Sequence, residues 1–250
     1  LKRGSKSEPL FIEEFKVDEK LLEIRKKIEK LGDAKKELTK TQIKMWDYFV
    51  PRKLIDFFYA TNKEGKGKEI ERIFLDIDRG DMSSEEARKV TKELVDIINS
   101  DDKFWSLAKG NLFVLWTGSS FHVIIFLDKN VSNEFYEKHI SYSKDEPLAS
   151  FIGRWANKIN EKFKFTITGG HEKIKNGINI DPSQTPSGKL ARAPFSLHMK
   201  DAKTIDGVAL PLTEDMLKSK SLINELREYS PKKVVDSLNE LAKRFPKQMR

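Results

Sequence analysis

From residue 70 onward the hydrophobic periodicity alternates between two and 3.6 residues in a fixed order, and that order leaves few folds open to the chain. Ile70–Asp78 (IERIFLDID) alternates in its second half and reads as a strand. Ser83–Ser100 reads as a helix, with Ser83 and Glu86 spaced as a capping box and Ala87, Val90, Leu94, Ile97 and Ile98 on one face. Asn111–Trp116 (NLFVLW) and Phe121–Leu127 (FHVIIFL) are β-rich runs joined by Thr117-Gly118-Ser119-Ser120, which predicts a hairpin. Helical spacing returns over Leu148–Phe163, and Gly177–Asp181 (GINID) is a short strand stopped by Pro182.

The resulting order, β-α-β-β-α-β, is the split βαβ arrangement of ferredoxin-like and RNA-recognition-motif (RRM) folds, so the chain is expected to be α+β. In that arrangement the four strands lie in the spatial order 4-1-3-2. Upstream, Val17–Lys44 reads as one or two amphipathic helices, Trp46–Ala60 (WDYFVPRKLIDFFYA) as a buried wall, and Asn62–Lys68 (NKEGKGK) as a loop. One domain over 1–250 is expected: an N-terminal helical or α-β module (1–69), an RRM-like core (70–215) and C-terminal helices (216–250).

Composition narrows the chemistry. The 250 residues are 38% hydrophobic and 34% charged, and no apolar run approaches the roughly 20 residues that cross a bilayer, so no membrane partner is expected. The mixed charge of Leu1–Glu14 fits neither a secretory signal nor a transit peptide, and a cytoplasmic, monomeric protein is expected. With no cysteine there is no thiolate nucleophile and no cysteine-based zinc or iron–sulfur site; any metal would sit on Asp, Glu or His, and oxygen donors favour magnesium, manganese or calcium. The net charge of +8 is confined to the second part of the chain: residues 151–200 carry +6, 201–240 carry −2 and 241–250 carry +4. Clustered positive charge suits a polyanionic partner, and equally a solvated lysine-rich surface.

Asp76 and Asp78 are two apart on the first strand and share a face. Placing Asp181 on the fourth strand and His122 at the start of the third brings three carboxylates and an imidazole toward one open face. Carboxylates so grouped stay ionised together only if cations lie among them. Gly118 and the hydroxyls of Ser119 and Ser120 form a small loop able to approach phosphate. Arg192, Ser196, His198 and Lys200 alternate with Ala193, Phe195, Leu197 and Met199, so an extended segment would present them as one phosphate-facing row.

These residues carry a resemblance. Arg192–Lys200 (RAPFSLHMK) is similar to the R-x-P-x-S-L-H-x-K stretch of the archaeo-eukaryotic primase superfamily. IFLDID matches that family's hydrophobic-DxD motif, Ser120-Phe121-His122 its S-x-H motif, and Ile180-Asp181 its hydrophobic residue followed by Asp. The four elements follow in the family's order over roughly residues 45–215. The resemblance implies a stand-alone primase-polymerase (prim-pol) catalytic domain. Asp76, Asp78 and Asp181 would be catalytic metal ligands for two Mn2+ or Mg2+ ions. Ser120, His122, Arg192, Ser196, His198 and Lys200 would lie near the phosphates of an incoming nucleoside triphosphate, with single-stranded DNA template and primer as further partners. The zinc-motif cysteines of the replicative small subunit are absent and the usual Ser-Gly-x-Gly-x-His loop reads Thr-Gly-Ser-Ser-x-His, which directs the expectation toward mobile-element, repair or CRISPR-associated enzymes. Two other readings stay open: a non-catalytic RRM-like module stacking bases on Phe113 and Phe121, and a metal-dependent nuclease.

Overall fold

A computed structural model describes residues 58–62, 69–172, 174–199 and 205–246. The expected helices of Val17–Lys44, nearly all of the aromatic Trp46–Ala60 segment, and Lys200 lie outside the described residues. In chain order the strands are β1 (Phe58–Ala60), β2 (Ile70–Asp78), β3 (Gly110–Trp116), β4 (Phe121–Val131), β5 (Thr166–Gly169), β6 (Gly177–Asp181), β7 (Leu190–Arg192), β8 (Leu197–Met199), β9 (Ile205–Val208) and β10 (Leu210–Leu212). The longer helices are α1 (Ser84–Asn99) and α4 (Phe151–Asn160), with α2 (Asp102–Leu107) and α3 (Asn133–His139) between them; α5 (Leu222–Arg227), α6 (Pro231–Asp236) and α7 (Leu238–Lys243) close the described chain.

The main sheet has the order β10-β3-β4-β2-β6-β5, mostly antiparallel. Its inner four strands therefore take the expected 4-1-3-2 order. β10 extends one edge, and β5, in which Ile167 alternates with Thr166 and Thr168, pairs parallel to β6 on the other. Phe58–Ala60, at the end of the expected N-terminal module, pairs with β7 in a separate two-stranded sheet.

Alternation divides the sheet cleanly. Ile73, Leu75 and Ile77 of β2 and Val123 and Ile125 of β4 face the helices, where they pack with Val90, Leu94 and Ile98 of α1 and Ile152, Trp155 and Ile159 of α4. Each such side chain removed from water contributes roughly 1.5–3 kcal/mol. Ser83 caps α1 by the expected reciprocal box: its Oγ accepts from the Glu86 amide at 3.1 Å, and its own amide donates to Glu86 Oε2 at 2.8 Å. The other face is apolar at one end only. Phe74, Phe113, Leu115, Ile124 and Phe126 form a second cluster with Ala191 and Ala209, and its polar end is the site described below.

The edge of β2 is finished by side chains. Its ladder with β6 covers only Asp76–Asp78. Beyond it, Thr185 Oγ1 accepts from the Phe74 amide at 2.9 Å and donates to the Phe74 carbonyl at 3.0 Å. Asn62 continues the pattern: its Oδ1 accepts from the amides of Glu71 (2.8 Å) and Arg72 (2.9 Å), and its Nδ2 donates to the Arg72 carbonyl at 2.8 Å and to the Thr185 carbonyl. Both side chains are fully buried, so the backbone groups they satisfy have no recourse to water.

Candidate active site

The strand register assembles the acidic residues. Asp76 on β2 lies directly opposite His122 on β4 and directly opposite Asp181 on β6, while Asp78 lies opposite Asn179. Paired positions share a face, with Cα atoms about 4.5–5.5 Å apart. Thus His122, Asp76 and Asp181 form a row across three strands, with Asp78 and Asn179 one step further along.

A cleft of about 250 Å3 opens over Asp76 and His122, lined by Asp76, Asp78, Arg79, His122, Arg192 and His198 together with the 117–120 hairpin; Asp181 is not among its lining residues. Burial first, then the charges of Asp181 and Asp78, push the Asp76 carboxyl up to about 7; Arg192 acts in the opposite direction. Its side chain keeps 29% exposure, so the push is that of a crowded cleft and not of a sealed interior. His122 is driven down to about 3, chiefly by burial and then by Arg192. Its imidazole is therefore neutral, and the 3.6 Å approach of its Nε2 to Asp76 Oδ1 is not an ion pair.

The donor set at this end suits a divalent cation in kind: three carboxylates, with the buried Asn179 Oδ1, which has no hydrogen-bond partner among the described residues, on the same face. The carboxylates are not yet gathered into one shell, and among the described residues no group of three or more potential ligands is close enough to hold an ion. The reason is local. Asp181 accepts from the Ser183 amide (2.8 Å) and hydroxyl (2.9 Å), and Asp78 accepts from the Gly80 amide at 3.1 Å. Cation binding would need Asp181 in particular to exchange these bonds.

The hairpin between β3 and β4 is pinned to the end of β2. Ser120 donates its hydroxyl to the Ile77 carbonyl, while the Ser119 carbonyl accepts from Arg79 Nε (3.0 Å) and Ser84 Oγ (2.8 Å). Ser120 is thereby committed to the backbone, and Ser119 is the serine whose hydroxyl approaches His198, with Oγ 3.4 Å from Nε2. Gly118, at φ +102°, takes a conformation that suits glycine, and a Cβ there would come within 2.5 Å of His198 Cβ. A Cβ on Gly207 would in turn sit 2.8 Å from Gly118 Cα. Gly207→Ala is therefore expected to lower stability by about 1–3 kcal/mol, as overpacking against backbone does, in a denaturant titration.

The nonapeptide Arg192–Lys200 corrects an expectation. It does not form one extended row. Arg192 ends β7 and His198 is the middle residue of β8; between them the chain reverses, the Ser196 amide donating to the Ala193 carbonyl at 3.2 Å and Phe195 taking φ +67°. Pro194 presets the first corner of this type II turn, and Phe195 occupies the position usually filled by glycine. Arg192 and His198 still reach the cleft, from different strands. Ser196 does not line it: it is buried, and its Oγ has no hydrogen-bond partner among the described residues.

The rings suggested for base stacking are not available for it. Phe121 is fully buried on the helix side against Trp116, and Phe113 is 3% exposed beneath Phe245, whose ring stacks on it at 5.4 Å. Sequence reasoning also missed Asp206, which approaches His198 Nδ1 at 3.2 Å through Oδ2. The only hint was the turn-forming dipeptide Asp206-Gly207.

No protein-family model matches the chain, and no curated protein matches it. Among solved structures, the polymerase domain from Mycobacterium tuberculosis Ligase D in complex with DNA is similar, with a TM-score of 0.47 and 19% identity over 77% of this chain. The chain spans 62% of that structure's length. Among the described residues no helix is long and apolar enough to cross a membrane.

Proposed function

We propose that the chain is a template-directed nucleotidyltransferase of the primase-polymerase kind, which joins nucleoside triphosphates into DNA or RNA primers on single-stranded DNA and extends them. The observation that carries this reading is the row His122, Asp76, Asp181 across three paired strands, with Arg192 and His198 sharing one cleft with Asp76 and His122. An acidic floor under a basic roof suits a ligand that is both polyanionic and cation-bound, as a nucleoside triphosphate is.

Asp76, Asp78 and Asp181 would hold two divalent ions, magnesium or manganese. Bound there, the ions supply activation of the attacking hydroxyl and neutralisation of the departing pyrophosphate. The chain's own residues bind and orient. Arg192 presents a guanidinium to the phosphates, His198 and Ser119 offer polar groups from the opposite wall, and the neutral His122 contributes a hydrogen bond without adding charge. In the reaction a 3′-hydroxyl oxygen bonds to the α-phosphorus while the bridging oxygen to the β-phosphate leaves with pyrophosphate. The positive surface of residues 151–200, together with Lys243 and Arg244, is offered to the template, so template affinity should fall steeply with salt.

The test is incubation with a homopolymeric single strand, labelled nucleotides and manganese, with and without primer. Metal-dependent products in the wild type and background levels for a folded Asp181→Ala variant are expected. Shortening of the strand would instead mark a nuclease, and template binding with no product in any metal would mark a non-catalytic module.

A further inference from the structure

Asp206 has no place in the motifs that suggested the site, yet it touches a residue of the cleft wall. β8 and β9 pair antiparallel with His198 opposite Gly207 and Met199 opposite Ile205, a shift of register that leaves Asp206 as the extra residue beside His198. Asp206 Oδ2 lies 3.2 Å from His198 Nδ1, close enough to pair with it but out of line for a hydrogen bond, and the other ring nitrogen, Nε2, lies 3.4 Å from Ser119 Oγ in the cleft wall. The ring is thus held between a carboxylate behind and a hydroxyl in front.

The scaffold around it leaves little room for another arrangement. Gly118 packs against His198 Cβ and against Gly207, and Ser119 is fixed by the bonds its carbonyl receives from Arg79 and Ser84. A carboxylate at Nδ1 favours a proton on that nitrogen, which turns Nε2 toward the cleft as the basic end of the ring, able to donate to a phosphate oxygen once it too is protonated. A histidine without such a partner divides between two tautomers and several ring orientations.

We propose that Asp206 is the positioning residue for His198, fixing its Nδ1–H so that Nε2, beside the Ser119 hydroxyl, takes up a proton from solvent and donates it in a hydrogen bond to the phosphate chain of the bound nucleotide. The target rests on the nucleotidyltransferase reading; the coupling between the two side chains does not. Asp206 is not among the residues lining the cleft and would act only through the ring.

The experiment has two arms, both on the full chain without catalysis. In the first, 15N–1H spectra of histidine-labelled protein, assigned with His198→Ala, report the His198 tautomer in the wild type and in Asp206→Ala. A single Nδ1-protonated ring in the wild type, giving way to a mixture in the variant, is expected; identical signals in the two would overturn the proposal. In the second, affinity for a deoxynucleoside triphosphate and for inorganic tripolyphosphate is measured through a mutant cycle. Asp206→Ala should weaken both by about tenfold, the size of one charge-assisted hydrogen bond, Asp206→Asn should recover part of that, and Asp206→Ala added to His198→Ala should cost nothing more. Additive losses would assign Asp206 a separate role and overturn the proposal. If the spectra change as expected while His198→Ala binds both probes as tightly as the wild type, the coupling stands and the nucleotide reading fails.

Discussion

Asp76→Asn is expected to make the protein more stable and inactive. The carboxyl is crowded by burial and by Asp181 and Asp78, which hold it near 7 in the folded chain against 3.8 as its ordinary value. The folded state therefore keeps a proton that the unfolded state has released, and stability falls as pH rises from about 4 through 7. An amide carries no charge and escapes this loss. In chelator, the variant should match the wild type near pH 4 and exceed its Tm above pH 7, by about 2–4 °C for each kcal/mol of relieved repulsion in a chain of this size. Manganese should raise the Tm of the wild type, since an ion bound only by the folded state stabilises it, and should do so far less for Asp76→Asn. Nucleotide incorporation by the variant should stay at background. A variant less stable than the wild type at pH 8 in chelator would show that Asp76 supports the fold, and the assignment of the acidic row would be wrong.

The second large effect is expected far from any chemistry. Asn62→Ala removes four hydrogen bonds at once, three of them to the backbone of Glu71 and Arg72 and one to Thr185. Each buried polar group left unpaired costs about 1–3 kcal/mol, so a loss of at least about 3 kcal/mol is expected in urea titration, with the slope of the transition unchanged. Thr185→Val, which strips the amide and carbonyl of Phe74 of their partner while keeping side-chain volume, should cost about 2 kcal/mol by the same reasoning. An unshifted midpoint for Asn62→Ala would mean that the β2 edge is satisfied in some other way.

The contrast between these two positions shows what could be read from the chain alone. The strands of the inner sheet were legible because apolar and polar residues alternate through LDID and because NLFVLW and FHVIIFL are rich in β-branched and aromatic residues, and the capped helix because serine and glutamate stand three apart ahead of an apolar stripe. That DxD shares a face followed from the same alternation. That Asp181 comes opposite Asp76 did not; it required the fold type, since strand pairing across about a hundred residues leaves no local trace. Thr185 and Asn62 were illegible because a polar side chain that completes a strand edge looks like any loop residue until the edge exists. Asp206 was hidden for a related reason: eight residues separate it from His198, and only the β8–β9 pairing brings them together. The reversal at Pro194 was half visible. Proline announced a corner, but an aromatic at the left-handed position gave no sign that the row of alternating residues would be cut in two.

That reversal changes what fixes the spacing of the two basic groups over the cleft. Arg192 hangs from β1 and His198 from β9, so their separation is set by two distant parts of the chain and not by the stiffness of the nonapeptide itself. Adding or deleting one residue within it would not slide the two groups together along a rail; it would set two anchorages at odds, and one of them would have to let go.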